Sequence, residues 1–377
     1  MRGGPRLKRN KTMTALRLKA PEAFARIHPY VPGKPLEEVA REYGIADAVK
    51  LASNENPLGP SPKATAAIRD GLNRLHRYPE GAAPLLTEKL SAHLGVPADR
   101  IVLGNGSDEV ISMLTRVFLG PGDEAILPEP AFLMYDIMVN CDGATPIPVP
   151  LRDYAIDLAA ILDRITPRTR MIFLTSPNNP TGIALSRSSF EPFLDTVPED
   201  VVVVVDEAYI EFARDPSAVN GLHYLDRGKN VAVLRTFSKA YGLAGLRIGY
   251  GAMPPDMAEV LNRIRPPFNT SIPAQLGAAA ALDDVDFLGK TLRTVHDGLD
   301  RIGDVLNELG LEYLPSQANF LFVKVPMAAD ALFEALLREG VVVRSLTSYG
   351  YPGHIRVTAG TPAENAKFLG ALKKVLG

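Results

Sequence analysis

Residues 201–209 read VVVVVDEAY, and this stretch decides the fold. Five consecutive β-branched valines favour an extended strand. A strand that is apolar at every position, rather than at every second one, needs cover on both faces. That is the situation of an inner strand in a parallel sheet with helices on each side. The run then stops at two carboxylates, Asp206 and Glu207, with Tyr209 close behind. A carboxylate at the edge of so dry an interior is costly unless something pairs with it.

Working outward, the same grammar repeats. IVLG (101–104) leads through NGSDE into VISMLTRVFLG, and EAILPEP (124–130) leads into FLMYDIMVNC. TPIPVPL precedes DLAAILDRI, RMIFLTSP ends in NNPTG, and NVAVLRTFS (230–238) is followed by RIGYGAM. Apolar strands alternating with helices predict an α/β fold with a mostly parallel sheet sandwiched by helices. Polar residues gather where strands end, the usual place for a ligand in such sheets. Before this region, SPKATAAIRDGLNRL (61–75) predicts a helix capped by Ser61 with Pro62 in its first turn. LLTEKLSAHLG (85–95) predicts another, closed by Gly95. After it come a helical stretch near 274–310 and a tail of short strands and helices: NFLFVKV, ADALFEALLREG, VVVRSL, HIRVTAG and a last helix from Pro362.

The expected organisation is a basic arm (1–24), a segment serving the smaller domain and the site (25–60), and a large domain (61–273). A linking helix (274–310) and a smaller α+β domain (311–377) follow. The chain of 377 residues is 46% hydrophobic and 22% charged, as a globular protein with a sizeable core should be. Its formal charge of −2 gives no basis for a nucleic-acid or membrane partner. The single cysteine, Cys141, excludes an internal disulfide framework and reads as a structural thiol in a reducing compartment. The arm is basic but lacks the apolar core of a secretory signal, so a cytoplasmic location is expected. No metal site is expected.

The chemistry sits at the strand ends. Lys239 follows a buried strand in RTFSKAYGLAGLR, and a desolvated lysine has a lowered pKa that frees its amine as a nucleophile. An aspartate for a ring nitrogen and a lysine for an aldehyde are what pyridoxal phosphate requires. Asp206 and Lys239 alone read more readily as a structural ion pair, and the phosphate requirement tips that balance. GNGSDE (104–109) adds an anion site: Gly106, Ser107 and Asp108 would offer backbone N–H groups at a helix start. Thr236, Ser238 and Arg247 could close round the same phosphate, with Gly242 and Gly245 allowing close approach. Asn179 in SPNNPTG and Tyr209 could bind a phenolic oxygen, and Phe132 could stack on a ring.

With these residues assembled, the chain resembles the fold-type I pyridoxal-phosphate-dependent aminotransferases, and among them most closely the histidinol-phosphate aminotransferase family. The motifs run in order over about residues 25–375: PYVPGKP, KLASNENPLGP, HRYPEG, GNGSDE, EPAFLMY, SPNNPTG, VVVDEAYIEF, RTFSKAYGLAGLRIGY, NFLFV, GVVVRS and IRVTAGT. The resemblance implies a seven-stranded sheet in the large domain and a homodimer with active sites at the subunit interface. It implies that Lys239 bonds the cofactor and moves a proton, that Asp206 keeps the ring nitrogen protonated, and that Asn179 and Tyr209 hold the phenolic oxygen. Gly106, Ser107, Asp108, Thr236, Ser238 and Arg247 match the phosphate-binding positions, and Tyr78 matches a residue that reaches the other subunit's phosphate. Arg356 matches the clamp for a substrate carboxylate; Arg344, Tyr30 and Asn54 match positions that contact the substrate's far end or close over it. Phe132 departs from the tyrosine often found there, which keeps the stacking and loses a hydroxyl.

The implied reaction moves an amino group between L-histidinol phosphate and 2-oxoglutarate, in histidine biosynthesis. The rival reading is an aromatic amino-acid aminotransferase on the same scaffold. A related decarboxylase and a non-catalytic binding module stand further off.

Overall fold

The computed structural model describes Phe24, Ile27, residues 36–45 and residues 47–377. Tyr30 and residues 1–23 lie outside the described residues. The chain enters through helix α1 (Leu36–Tyr43), strand β1 (Val49–Lys50) and helices α2 (Pro62–Gly71) and α3 (Pro84–Leu94). Ser61 caps α2 by accepting from the Ala64 N–H, and Gly95 closes α3 in the left-handed conformation.

Seven strands then build the main sheet. They are β2 (Ile101–Gly104), β3 (Glu124–Glu129), β4 (Thr145–Pro150), β5 (Thr169–Thr175), β6 (Val202–Asp206), β7 (Asn230–Thr236) and β8 (Gly249–Ala252). Between them run α4 (Ser107–Phe118), α5 (Met134–Cys141), α6 (Leu158–Leu162) and α7 (Arg187–Thr196), with α8 (Pro255–Ile264) after β8. The order across the sheet is β2-β8-β7-β6-β5-β3-β4. Every pair is parallel except those of β8, which is antiparallel to both neighbours. A parallel return needs a long crossover, usually a helix. The β7–β8 connection holds only a short 3-10 turn at Ala244–Leu246, so the chain doubles back.

The valine run lies at the centre of this sheet, fully buried. Val202 and Val204 face a core that includes Val110, Tyr135 and Met257, while Val203 and Val205 face one that includes Phe190, Leu194 and Tyr224. Burying each such side chain is worth about 1.5–3 kcal/mol, which explains why no polar residue interrupts the run. Because β2, β3, β5, β6 and β7 point the same way, their C-terminal ends open at one edge of the sheet.

The expected helix over 274–310 is two helices, α9 (Ile272–Leu282) and α10 (Val285–Glu308). Between them Asp284 leaves the helical region, at φ −99° and ψ 60°. Lysines from the neighbouring helices hold this corner: Lys63 donates to the Asp283 carbonyl at 2.8 Å and Lys89 pairs with the Asp283 carboxylate.

The remaining elements are β9 (Phe320–Lys324), α11 (Ala329–Arg338), β10 (Val341–Val342), β11 (Arg344–Ser345), β12 (His354–Thr358) and α12 (Pro362–Leu376). β11, β12 and β9 form a three-stranded antiparallel sheet over their own apolar core. The run GVVVRS, expected to be one strand, divides. Val341 and Val342 pair with Val49 and Lys50 of β1, and only Arg344 and Ser345 join β12. No helix among the described residues is long and apolar enough to cross a membrane.

Candidate active site

Where the strands of the main sheet end, they meet residues 52–55 and the three-stranded sheet round a cavity of about 340 Å³. The cavity is lined by Ser107, Asp108, Phe132, Asn179, Asp206, Tyr209, Thr236, Ser238, Lys239, Arg247, Arg344, Arg356 and Asn54, all expected from the sequence. Tyr78 is not among the lining residues: it is 81% exposed and stacks on Phe268 at 4.8 Å.

Asp206, the last residue of β6, forms the floor and is 4% exposed. Its Oδ2 accepts from the Tyr135 hydroxyl at 2.6 Å and its Oδ1 from the Ala208 N–H at 3.1 Å. Burial pushes its pKa up to about 6, against those two hydrogen bonds and with help from the charges of Asp108 and Glu207. Lys239 lies on the cavity wall, its Nζ donating to the Ser53 carbonyl at 3.2 Å. Burial first, and then the Arg356 charge, bring its pKa down to about 8, so a sizeable share of the amine is neutral near pH 8. Tyr209 accepts from Asn54 Nδ2 at 2.9 Å, and burial drives its hydroxyl up to about 12.

The structural ion pair that Asp206 and Lys239 left open is not how they are held, since each takes a separate, uncharged partner. The ion pair at this strand end belongs to the next residue. Glu207, with no exposed surface, accepts from Arg235 Nε at 2.9 Å. A buried carboxylate needed a cation, and β7 supplies it beneath the cavity rather than in it.

At the opposite end, Gly106 stands at the cap position just before α4, with φ 82° and no side chain of its own to cap the first turn. That φ, with ψ 165°, lies in a region open essentially to glycine alone, and the missing Cβ leaves room for Arg247 Nη2, 2.6 Å from where it would stand. Arg247 itself adopts φ 54°, the left-handed region that residues with a Cβ disfavour, and this turns its guanidinium onto Asp108 at 3.2 Å and Ser238 at 3.4 Å. Uncapped helix N–H groups, the hydroxyls of Ser107, Thr236 and Ser238, and a guanidinium are together the groups that could hold an anion. Gly242 serves another purpose than the one expected. Its missing Cβ leaves room for the Gly59 carbonyl, 2.1 Å from where a Cβ would be, and so seats the 59–60 segment.

The three-stranded sheet closes the cavity from above. Arg344, Arg356 and Phe322 are directly opposite one another across β11, β12 and β9, so they share one face. Arg356 is 5% exposed; its two Nη atoms donate to Asn179 Oδ1 and to the Ala52 carbonyl. Its Nε is buried without a partner among the described residues, a donor that a bound anion would satisfy. Arg344 reaches the cavity with its Cζ 5.9 Å from the Tyr349 ring. Asn54, expected at the substrate's far end, lines the cavity and ties β12 to its floor: its N–H and Oδ1 bond the Thr358 hydroxyl and its Nδ2 bonds Tyr209.

Sequence reasoning missed Tyr135, Thr175, Glu55 and Tyr349, of which Thr175, Glu55 and Tyr349 line the cavity. A signal existed for Tyr135: in FLMY it stands three residues after Phe132 at a helix start, hence on the same face.

Comparison with known proteins gives a consistent picture. Residues 46–372 match the family model described as aminotransferase class I and II. The histidinol-phosphate aminotransferase 2 of Carboxydothermus hydrogenoformans is 46% identical over 94% of this chain and 98% of its own length. That of Pseudomonas fluorescens is 48% identical over 93% of this chain and 95% of its own length. Among solved structures, the histidinol-phosphate aminotransferase of Sinorhizobium meliloti in complex with pyridoxal-5′-phosphate superposes with a TM-score of 0.88. It is 28% identical and the match covers 97% of this chain and 99% of that one.

Proposed function

The chain belongs to the class I and II aminotransferases, and on that premise we propose that it transfers an amino group from L-histidinol phosphate to 2-oxoglutarate, using pyridoxal 5′-phosphate. The observation that carries this reading is the cross-strand pair Arg344 and Arg356, held above a lysine and a buried aspartate in one cavity. Two cations beyond the amine-handling groups suit substrates that carry an anion at the end remote from the amine, either a phosphate or the second carboxylate of glutamate.

The residues present fit the cofactor. The uncapped start of α4 with Ser107, Thr236, Ser238 and Arg247 would hold its phosphate. Asp206 would face its ring nitrogen, Asn179 and Tyr209 its phenolic oxygen, and Phe132 the ring's face. When bound, pyridoxal phosphate supplies an aldehyde that exchanges with amines and a ring that accepts electrons from the substrate's α-carbon.

The remaining work falls to the side chains. Lys239 Nζ, neutral in part at pH 8, takes the proton from the substrate's α-carbon and returns it on the other side of the transfer. Asp206, as a carboxylate, holds a proton on the group above it. Arg356 grips an anionic substrate group through its partnerless Nε and its Nη edge. Arg344 meets the group at the far end. The closing sheet keeps water from the reacting atoms.

The same reading makes the protein a homodimer with Tyr78 of one subunit at the phosphate of the other. Leu72, Leu75, Tyr78 and Phe268, between 46% and 81% exposed, support it as an apolar surface that a second copy would cover.

The deciding experiment follows the cofactor's absorbance while single amino donors are added. L-Histidinol phosphate should discharge the visible band on the order of ten-fold more efficiently than phenylalanine, since Arg344 at the far end meets only an uncharged ring on phenylalanine. Equal efficiency with phenylalanine would overturn the substrate assignment and leave an aromatic aminotransferase. Release of CO2 without consumption of 2-oxoglutarate would overturn the reaction class.

A further inference from the structure

Asp206 owes its hydrogen bonds to no cation. The groups around it are Asp108 on α4 and Glu207 just past the end of its own strand, whose charges favour its protonated form, as burial does. Glu207 is already committed to Arg235. Only the Ala208 N–H and the Tyr135 hydroxyl act in the other direction. Of the two, the Tyr135 contact is shorter, at 2.6 Å against 3.1 Å.

Tyr135 is built for this contact. Its ring has no exposed surface, stacks on Phe173 at 4.6 Å and stands edge-on to Phe132 at 5.7 Å, so the hydroxyl has one direction to point. That hydroxyl is also 3.0 Å from Thr175 Oγ1. A phenol has one proton, and with it directed at Asp206 the Thr175 hydroxyl must donate in turn, which strengthens Tyr135 as a donor. The segment FLMY thus carries phenylalanine at its first position and uses its one phenol below the cavity floor instead.

We propose that Tyr135 is a positioning residue that holds Asp206 as a carboxylate through the Oη–H to Oδ2 hydrogen bond, leaving the remaining lone pairs for a cationic ring nitrogen. The proposal rests on the cofactor assignment above. A protonated Asp206 would present a neutral acid to that nitrogen and forfeit the charge pairing that anchors it.

Tyr135→Phe keeps the ring and its stacking and removes only the donor. Cofactor-free protein titrated with pyridoxal 5′-phosphate should show a dissociation constant raised on the order of ten-fold, the scale of one hydrogen bond to a charged group. The acid limb of kcat/KM should move to higher pH, because Asp206 then keeps its proton longer. In an Asp206→Asn background the same Tyr135→Phe change should alter cofactor affinity by less than about two-fold, the mark of an effect routed through Asp206. If Tyr135→Phe does not fold, Thr175→Val carries the test, with a smaller shift in the same direction. An unchanged dissociation constant and acid limb, or an equal loss in the Asn background, overturns the proposal and leaves Tyr135 as packing. Wild-type protein that takes up no pyridoxal phosphate is a different failure, since it overturns the cofactor reading itself.

Discussion

The two ends of the cavity are built differently. The floor and the anion site come from the ends of neighbouring strands in one sheet: Gly106 to Asp108 after β2, Asp206 ending β6, and Thr236 to Lys239 after β7. Their geometry is inherited from a sheet whose core is buried on both faces, so it is rigid. The substrate end is assembled from residues 52–55, Asn179, Arg344 and Arg356, which belong to different elements and join through side chains. Comparing the two ends separates what the fold provides for any amino-group transfer from what selects the substrate. The first sits on continuous backbone, where change is costly. The second sits where two sheets meet and can be altered one side chain at a time.

That contrast can be broken most severely at Lys239. Lys239→Ala should lower kcat with every amino donor by on the order of 10⁴, with the cofactor still bound by the phosphate end. Borohydride should fix cofactor to the wild-type chain and not to this variant. A variant that is fixed as well as wild type would show that another lysine does the work.

The substrate end should respond selectively instead. Arg356→Gln removes a buried, doubly bonded guanidinium and should cost several hundred-fold in kcat/KM for glutamate and histidinol phosphate alike. Arg344→Gln, at the more open position, should cost about ten-fold for histidinol phosphate and little for phenylalanine. Equal losses with both donors would remove the distinction between the two arginines.

A last effect concerns stability at the floor rather than activity. Asp206 ionises in the folded protein near pH 6, above its ordinary 3.8, so its charge is less welcome folded than unfolded. The penalty is absent below pH 3.8, grows as pH rises to about 6 and is constant beyond. Asp206→Asn should therefore stabilise the cofactor-free protein by about 3 kcal/mol at pH 8 and by little at pH 4, read from urea midpoints. A gain independent of pH would mean that ionisation is not the cause. Activity should fall in the same variant, the usual relation between a strained functional group and the fold that carries it.

Much of this was legible in the chain because its causes are local. The valine run names a doubly covered strand, since two buried faces leave no place for a polar residue. Asp206 is visible for the same reason, as the first polar group after such a run, and Lys239 and the start of α4 lie within a few residues of the ends of VAVL and IVL. The resemblance carried by the ordered motifs extended this to Arg344 and Arg356, which local pattern alone does not mark.

Tertiary structure decided which groups meet. Arg356 bonds Ala52 across 304 residues and Asn179 across 177, and no periodicity encodes such distances. It gave the strand-end ion pair to Glu207 and Arg235, leaving Asp206 to a tyrosine and Lys239 to a carbonyl. It split GVVVRS between two sheets, because each half found a different partner edge. The sequence by itself determined where charge would stand against a dry interior; only packing decided what would neutralise it, because that partner comes from whatever element the fold brings alongside.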